Sequence, residues 1–544
     1  MHWIDWVIVV VPVLFILGVA VHVRKYVRGV ADFLVAGRVA GRYVIAVGDM
    51  QSALSIVVLV AICERDYQCG IAMGFWNKLI IPLSIFMSLT GYCLYRFRQT
   101  KCMSLGQFLE IRYNRSFRIV AASVRGFADM VVNSIGPAVA ARFFVYFVGL
   151  PYSVNIFGWE ISTYALVVVL ILSMAMLVIW AGGRVSLLVT DAIQGLMSYP
   201  VYVIFTVFVL SEISWSLDVV PVMMDRAAGE SFLNPMDISS LRDFNLFALI
   251  VTITGQILNR AAWVGNDSSG SGRNAHEQKM AGILGAWRNG FAYIMMTLTA
   301  LFVITVMLSN RFAGESREIR NDLINKVATE TIRDQRVRDK IMRGVAAIPP
   351  ARHEISKDVP YSRKHNPDMA YFAVASKHLQ NTNDGNAVFQ KFKTLYYQMM
   401  MPVILSRKLP VGIMGLFILL MVMLMLSTDD SRIVNVSSTL LQDVIMPLRK
   451  KPFTPRQHLF WLRRMSVIVC VIFLIISLCF AQMDFITMFC NIVCALWLGA
   501  AGPIMVGGLY SRFGTTTGAF CALIFGSGTS LAGLILQRTW GGYV

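Results

Sequence analysis

Apolar residues run in long blocks along this chain, and polar and basic residues collect between them. Twelve blocks, at about 4–22, 43–63, 71–95, 119–149, 158–180, 186–211, 243–264, 281–309, 409–440, 461–481, 485–508 and 516–537, suit a helix crossing ~30 Å of hydrocarbon. A spanning segment must satisfy its own backbone hydrogen bonds, so blocks this long predict helices. The pattern therefore predicts an all-α polytopic membrane protein with about twelve transmembrane helices. Two stretches break it. Residues 212–242 form a moderate loop, and residues 310–396 form a long polar insert with a helix-like charged run from Arg317 to Arg343 and a break at Pro349–Pro350. The expected organisation is a membrane domain over 1–309, an extramembrane insert over 310–396, and a second membrane portion over 397–544.

Composition agrees: 56% of the 544 residues are hydrophobic and only 15% are charged. The net charge of +18 would suggest a nucleic-acid partner in a soluble protein, but its distribution is topological. Arg24, Lys25, Arg28, Arg38 and Arg42 follow the first block. Arg96, Arg98, Lys101, Arg112, Arg115 and Arg118 follow the third, and Arg449, Lys450, Lys451 and Arg456 follow the ninth. The short loops between are nearly bare of Lys and Arg, so the basic loops mark the cytoplasmic face. The insert then falls outside, although it carries sixteen Lys and Arg against ten Asp and Glu. Long loops translocate largely regardless of charge. The first block has no basic stretch before it, the reverse of a signal peptide, and is expected to be a retained helix with its N-terminus outside. The inner (plasma) membrane is the expected location. The nine cysteines are scattered without a metal-type pair and read as small buried hydrophobes, although Cys63 and Cys69 are close enough in sequence to pair.

Ionisable groups inside spans are costly and mark function by default. Three places stand out. In VIAVGDMQSALSIVVLVA, Asp49, Gln51 and Ser52 interrupt an apolar run just after Gly48, as in a broken helix whose freed carbonyls coordinate a cation. In GGRVSLLVTDAIQG, Asp191 and Gln194 share a helical face beside Thr190. In LFILLMVMLMLSTDDSRIVNVSSTLL, Ser427, Asp430 and Ser431 line one face at i, i+3 and i+4. Hydroxyls and carboxylates are hard oxygen donors, suited to small hard cations. Simple helix–helix glue accounts for the hydroxyls but not for the adjacent acids Asp429 and Asp430. Arg432 is placed to pair with Asp429 three residues back, and Arg125 with Asp129. Arg142, two turns from the outer end of its span, either snorkels to the surface or faces an anionic substrate. No histidine lies well inside a span, and no nucleotide-binding loop, zinc motif or nucleophile elbow occurs, so a driven process here uses a gradient and no enzymatic chemistry is expected.

These same residues carry a resemblance. GGRVSLLVTDAIQG, LPVGIMGLFILLMVMLMLSTDDSRIVNVSSTLLQDV, AVGDMQSALS and GGLYSRFGTTTGAFCALI resemble, in order and spacing, motifs of the sodium:solute symporter family, whose members carry proline, sugars, pantothenate and sialic acid. The resemblance implies a leucine-transporter-type inverted-repeat fold: one peripheral helix, ten core helices and a further helix. It implies a sodium site between the first and eighth core helices, formed by carbonyls of Val47, Met50 and Leu424 with the hydroxyls of Ser427 and Thr428. A second cation site, as in some members, would use Asp191 with Ser427, Asp430 and Ser431. Asp49 and Asp429 are candidates for coupling ion to substrate. Gln51, Asn133 and Gln256 are candidate substrate contacts, with Arg142 for a carboxylate. The chain departs from the family in the extra acid Asp429, in Asn259–Arg260 where members have Gln-Arg, in the long insert, and in having twelve expected spans where most members have thirteen or more.

The expected function is sodium-coupled symport of a small organic solute by alternating access, with sodium as the coupling ion, no cofactor, and no nucleic-acid partner. The alternatives are a solute sensor built on a symporter-like bundle, a proton-coupled carrier using Asp429 or Asp430, and a structural membrane protein. A sensor usually carries a signalling domain after the bundle, and none follows the last expected span. A structural protein would not need the acids of the second, sixth and ninth spans.

Overall fold

The structure, a computed structural model, describes residues 1–78, 80–156, 158–227, 229–237, 246–264, 270–351, 366–380, 385–479 and 486–540. Within these, the side chains of 49–53, 73, 77, 156, 246–249, 252, 487–489, 492, 534 and 537–540 lie outside the description.

The chain is almost wholly helical. α1 (Trp3–Val23) leads through the short α2 (Val30–Val35) to α3 (Arg42–Ala53) and α4 (Ile56–Cys69), then α5 (Ala72–Lys78), α6 (Ile80–Thr90), α7 (Leu94–Gln99) and α8 (Leu105–Arg112). α9 (Arg115–Asn133) and α10 (Ile135–Val148) follow, then a hairpin of β1 (Ser153–Ile156) and β2 (Trp159–Ser162), antiparallel with Ser153 opposite Ser162. The 50-residue α11 (Thr163–Glu212), short α12 (Val220–Met224), α13 (Leu246–Ala262) and α14 (Ala275–Leu308) complete the part before the insert. The insert holds α15 (Ala313–Thr331), α16 (Gln335–Ala346), α17 (Pro367–Leu379) and the start of α18 (Gly385–Lys408). The last part is α19 (Ile413–Ser438), the single turn α20 (Met446–Leu448), α21 (Pro455–Cys479), α22 (Ile486–Tyr510) and α23 (Thr516–Trp540).

Eight helical stretches among the described residues are long and apolar enough to cross a membrane. They account for nine of the twelve expected spans, because α11 carries two. Its two spans meet at Gly183, whose φ of 51° breaks the ladder. A side chain there would be strained and would also meet the Phe33 ring at 2.5 Å, so the kink needs glycine. The remaining three spans fall short of that criterion for separate reasons. The span at 43–63 is split into α3 and α4, α13 has 17 residues, and α23 has 25 residues that reach beyond the described side chains.

Two devices position the site. α3 packs between α14 and α11, and α19 packs along α11, α1 and α21. At the end of α19, buried Asp443 accepts from Ser104 Oγ at 2.7 Å, from Arg118 at 2.8 Å and from the backbone N–H of Gly106 at 3.3 Å. A Cβ on Gly106 would lie 2.3 Å from the Asp443 carboxyl carbon, so the close approach requires glycine. At its other end, Asp5 of α1 is fully buried and accepts from the backbone N–H groups of Gly412 (2.8 Å) and Gly415 (3.1 Å). It caps α19, whose first N–H groups have no partner within the helix. All nine cysteines are free thiols, Cys63 and Cys69 included.

Candidate functional site

The break in the second span falls at Leu54–Ser55. Ser55 begins α4 as its N-cap, its hydroxyl accepting from Val58 N at 3.3 Å. α3 therefore runs unbroken past the polar interruption after Gly48 that suggested the break. Gly48 serves packing instead: its open side faces Leu188 and Asp191 of α11 at 3.6–3.7 Å. Val47 is buried inside the α3 ladder, well before the break, and Met50 lies in the last turn, whose carbonyls have no helical partner. The side chains of Asp49, Met50 and Gln51 are outside the described residues.

α19 meets this break directly. Thr428 Oγ1 lies 2.7 Å from the carbonyl oxygen of Leu424 and 3.2 Å from that of Leu54. The Ser427 hydroxyl is fully buried and has no hydrogen-bond partner among the described residues. Buried hydroxyls are rarely left so, and one beside a helix break suits a bound cation. Three hard oxygens, of Thr428, Leu424 and Leu54, thus meet between the two helices, with the Ser427 hydroxyl on the adjoining residue.

The acids of α19 separate. Asp430 and Ser431 are buried, and neither carboxylate oxygen of Asp430 has a hydrogen-bond partner among side chains. Asp191 of α11 and Arg184 act on Asp430 electrostatically, and Arg184 also donates to Asn435 Oδ1. Asp429 points elsewhere: its Oδ1 is 3.0 Å from the open side of Gly136 on α10. Arg432 and Asp429 act on each other electrostatically but form no ion pair. Arg125 and Asp129 do meet, at 3.6 Å.

A cavity of about 1060 Å³ opens between α6, α9, α13 and α14, reached by Arg432 of α19 and Cys494 of α22. It brings together two of the candidate substrate residues, Asn133 and Gln256. The Asn133 amide donates to the Asp129 carbonyl at 2.7 Å, leaving its own oxygen for the cavity. Arg142 is not in the lining. It is 6% exposed, sits over the Tyr164 ring at 4.5 Å, and pairs with Glu330 of the insert at 2.7 Å. The Arg142 side chain neither snorkels to solvent nor reaches the cavity. Sequence reasoning did not place Arg260, Asn259, Asp129 or Trp263 in a cavity wall. Their positions follow from how α9, α13 and α14 pack, which no local pattern encodes.

The helices form a bundle in which a broken helix faces a hydroxyl-rich one beside a polar cavity, the architecture of secondary transporters. The model of the sodium:solute symporter family matches residues 382–526. The solved structure of a sodium-coupled sialic acid symporter, substrate-bound and outward-open, is similar at 13% identity with a TM-score of 0.65, covering 98% of this chain and 98% of that one. Two structures of the Eremococcus coleocola manganese transporter, a mutant and a complex with an aromatic bis-isothiourea compound, are 12% identical. They cover 93% and 91% of this chain and 93% and 92% of theirs, with TM-scores of 0.31 and 0.30, too low to bear on the fold. A comparison with curated proteins finds no match. The fold is of the leucine-transporter type and the chain is an integral membrane protein. The resemblance to the sodium:solute symporter family, read from motifs, is borne out over 382–526.

Proposed function

We propose that this protein is a sodium-coupled symporter of a small organic solute, working by alternating access. The observation that carries the reading is the α3–α4 break at Leu54–Ser55 held against Thr428 and the unpartnered Ser427 hydroxyl. Sodium sits there on the Leu424 carbonyl, the Ser427 and Thr428 hydroxyls, and carbonyls freed at the break. The resemblance assigns two of those carbonyls to Val47 and Met50. The position of the break favours Met50 and Leu54, since Val47 lies inside the ladder. A second cation lies between Asp191 and Asp430, with Ser427 and Ser431 completing the oxygen set. Asp191 and Asp430 act on each other, and their carboxylates are hard oxygen donors suited to a small hard cation. The membrane portions are 1–309 and 397–544, the protein lies in the plasma (inner) membrane, and the insert and N-terminus face outside.

Uptake into proteoliposomes, over sugars, amino acids, carboxylates and sialic acids with sodium, lithium or choline outside, tests this. Sodium-dependent accumulation is expected, and none under any sodium gradient overturns it. A proton carrier is the second reading, because the buried Asp430 carboxylate has no side-chain hydrogen-bond partner among the described residues and a proton would also relieve it. Uptake driven by a pH gradient without sodium would decide for that reading.

A further inference from the structure

We infer that the transported solute is an organic carboxylate, bound in the cavity between α9 and α13 by Arg432 and Arg260. This rests on the symporter reading and names its substrate class. The charge of the lining carries it. Three cations, Lys78, Arg260 and Arg432, face one acid, Asp129. That acid is not available to balance them, because Arg125, outside the lining, holds it at 3.6 Å. Arg432 is half-buried and makes no ion pair or hydrogen bond with the described residues. Asp429, three residues back on its own helix, acts on it electrostatically but turns its Oδ1 toward Gly136.

Arginine buried without a partner is costly once water leaves. Alternating access requires that water leave when the cavity closes over its cargo. The cavity therefore closes at least cost around an anion. Arginine presents a planar fork that matches a carboxylate with two parallel hydrogen bonds. Arg260 is half-buried and donates to Ser88 Oγ at 3.3 Å, which holds it at the wall, while Lys78 is exposed and donates to Thr297 Oγ1 at 3.2 Å. The neutral polar lining includes the amides of Asn133, Gln256 and Asn259, with hydroxyls such as those of Ser84 and Tyr293 beside them. Amides suit the hydroxyl or amide groups of an organic molecule. A volume of about 1060 Å³ is also far more than an inorganic anion fills. Size, amides and cations together point to an organic carboxylate and not to phosphate or a neutral sugar.

The test is sodium-driven uptake by the full chain in proteoliposomes, using pairs that differ in the carboxylate: gluconate against glucose, N-acetylneuraminate against N-acetylmannosamine, and lactate against glycerol, with inorganic phosphate as a fourth arm. At least one carboxylate should accumulate, with its neutral partner about tenfold or more behind. For that carboxylate Arg432→Gln should raise KM about tenfold or more, and Arg432→Lys should restore part of the loss. The sodium concentration for half-maximal uptake should stay within about twofold, which separates a substrate contact from damage to the ion site. Thermal melting and gel filtration of each variant check that it folds. Preferred uptake of a neutral partner or of phosphate overturns the inference while leaving symport standing. So does an unchanged carboxylate KM in both Arg432→Gln and Arg260→Gln. Failure of every solute under sodium removes the symport reading itself.

Discussion

Ser427 and Asp430 each bury an oxygen with no side-chain hydrogen-bond partner among the described residues, within one turn of each other on α19. Such atoms are destabilising unless something outside the side-chain inventory satisfies them, and in the proposed symporter a sodium ion would do so. Ser427→Ala removes one ligand without opening the packing. The sodium concentration for half-maximal uptake should rise about tenfold, as for one lost hydrogen bond to a charge. Asp191→Asn should do the same at the second site and lower the number of sodium ions per transport cycle, read as the Hill coefficient of uptake. If neither variant changes sodium dependence, the ion sites lie elsewhere. At this scale much was legible: the i, i+3, i+4 spacing alone placed Ser427, Asp430 and Ser431 on one face. Where the adjacent acid Asp429 points was not legible, because its place against Gly136 depends on how α19 packs on α10. The partner of Arg142 was equally hidden, since Glu330 is 188 residues away in the chain.

Breaks between elements were read from polar residues, and the structure puts one of them elsewhere. The interruption at Asp49–Ser52 stays helical, and the chain breaks where Ser55 caps α4. Glycine marked packing at Gly48 and a true kink at Gly183, a difference set by φ and by the neighbour, not by residue type. Gly183→Ala should therefore destabilise by about 1–3 kcal/mol, seen as a lowered melting temperature in detergent. Gly285→Ala, whose new Cβ would meet only Ala46 O at 3.7 Å, should be neutral or raise it. In the insert, the charged run expected from Arg317 to Arg343 is two helices, divided where Asp334 caps α16 by accepting from Arg336 N at 2.8 Å. The insert has a charged core of its own: Arg320 is 1% exposed and pairs at 2.7 Å with Asp368, which is fully buried. Burial works against the Arg320 charge, and Asp368 with Tyr67 and Tyr396 more than reverses it. Asp368→Ala strands that charge and should cost about 3–5 kcal/mol. A melting temperature unchanged in Asp368→Ala would show that the pair is not formed.

At the scale of the whole molecule, two ties hold opposite ends of the same broken helix. Arg42, at the start of α3, pairs with Glu277 at the start of α14 at 2.5 Å. Tyr67, near the end of α4, donates to Asp368 of the insert at 2.6 Å. In the symporter reading the first tie is cytoplasmic and the second outside, so each cycle loosens them in turn. Arg42 holds the Glu277 carboxyl down at about 2. A depressed carboxylate contributes stability that is present above the usual carboxylate range, near ~4.3, and is lost as pH falls through about 2. The cytoplasmic tie should therefore be constant from about pH 5 to 8, and any pH effect on transport there arises elsewhere. Glu277→Gln weakens that tie and should shift the resting population toward inward-facing forms. Tyr67→Phe removes one hydrogen bond from the other tie, while Arg320 and Tyr396 keep Asp368 paired, and should shift the population outward. A single cysteine at Gln256, in a background with the nine native cysteines replaced, reports both. Its labelling by a membrane-impermeant thiol reagent from the cytoplasmic side should speed up about threefold or more in Glu277→Gln, the effect of one exposed ion pair, and slow in Tyr67→Phe. Both variants moving the rate in one direction would mean that the two ties do not gate opposite faces of the cavity.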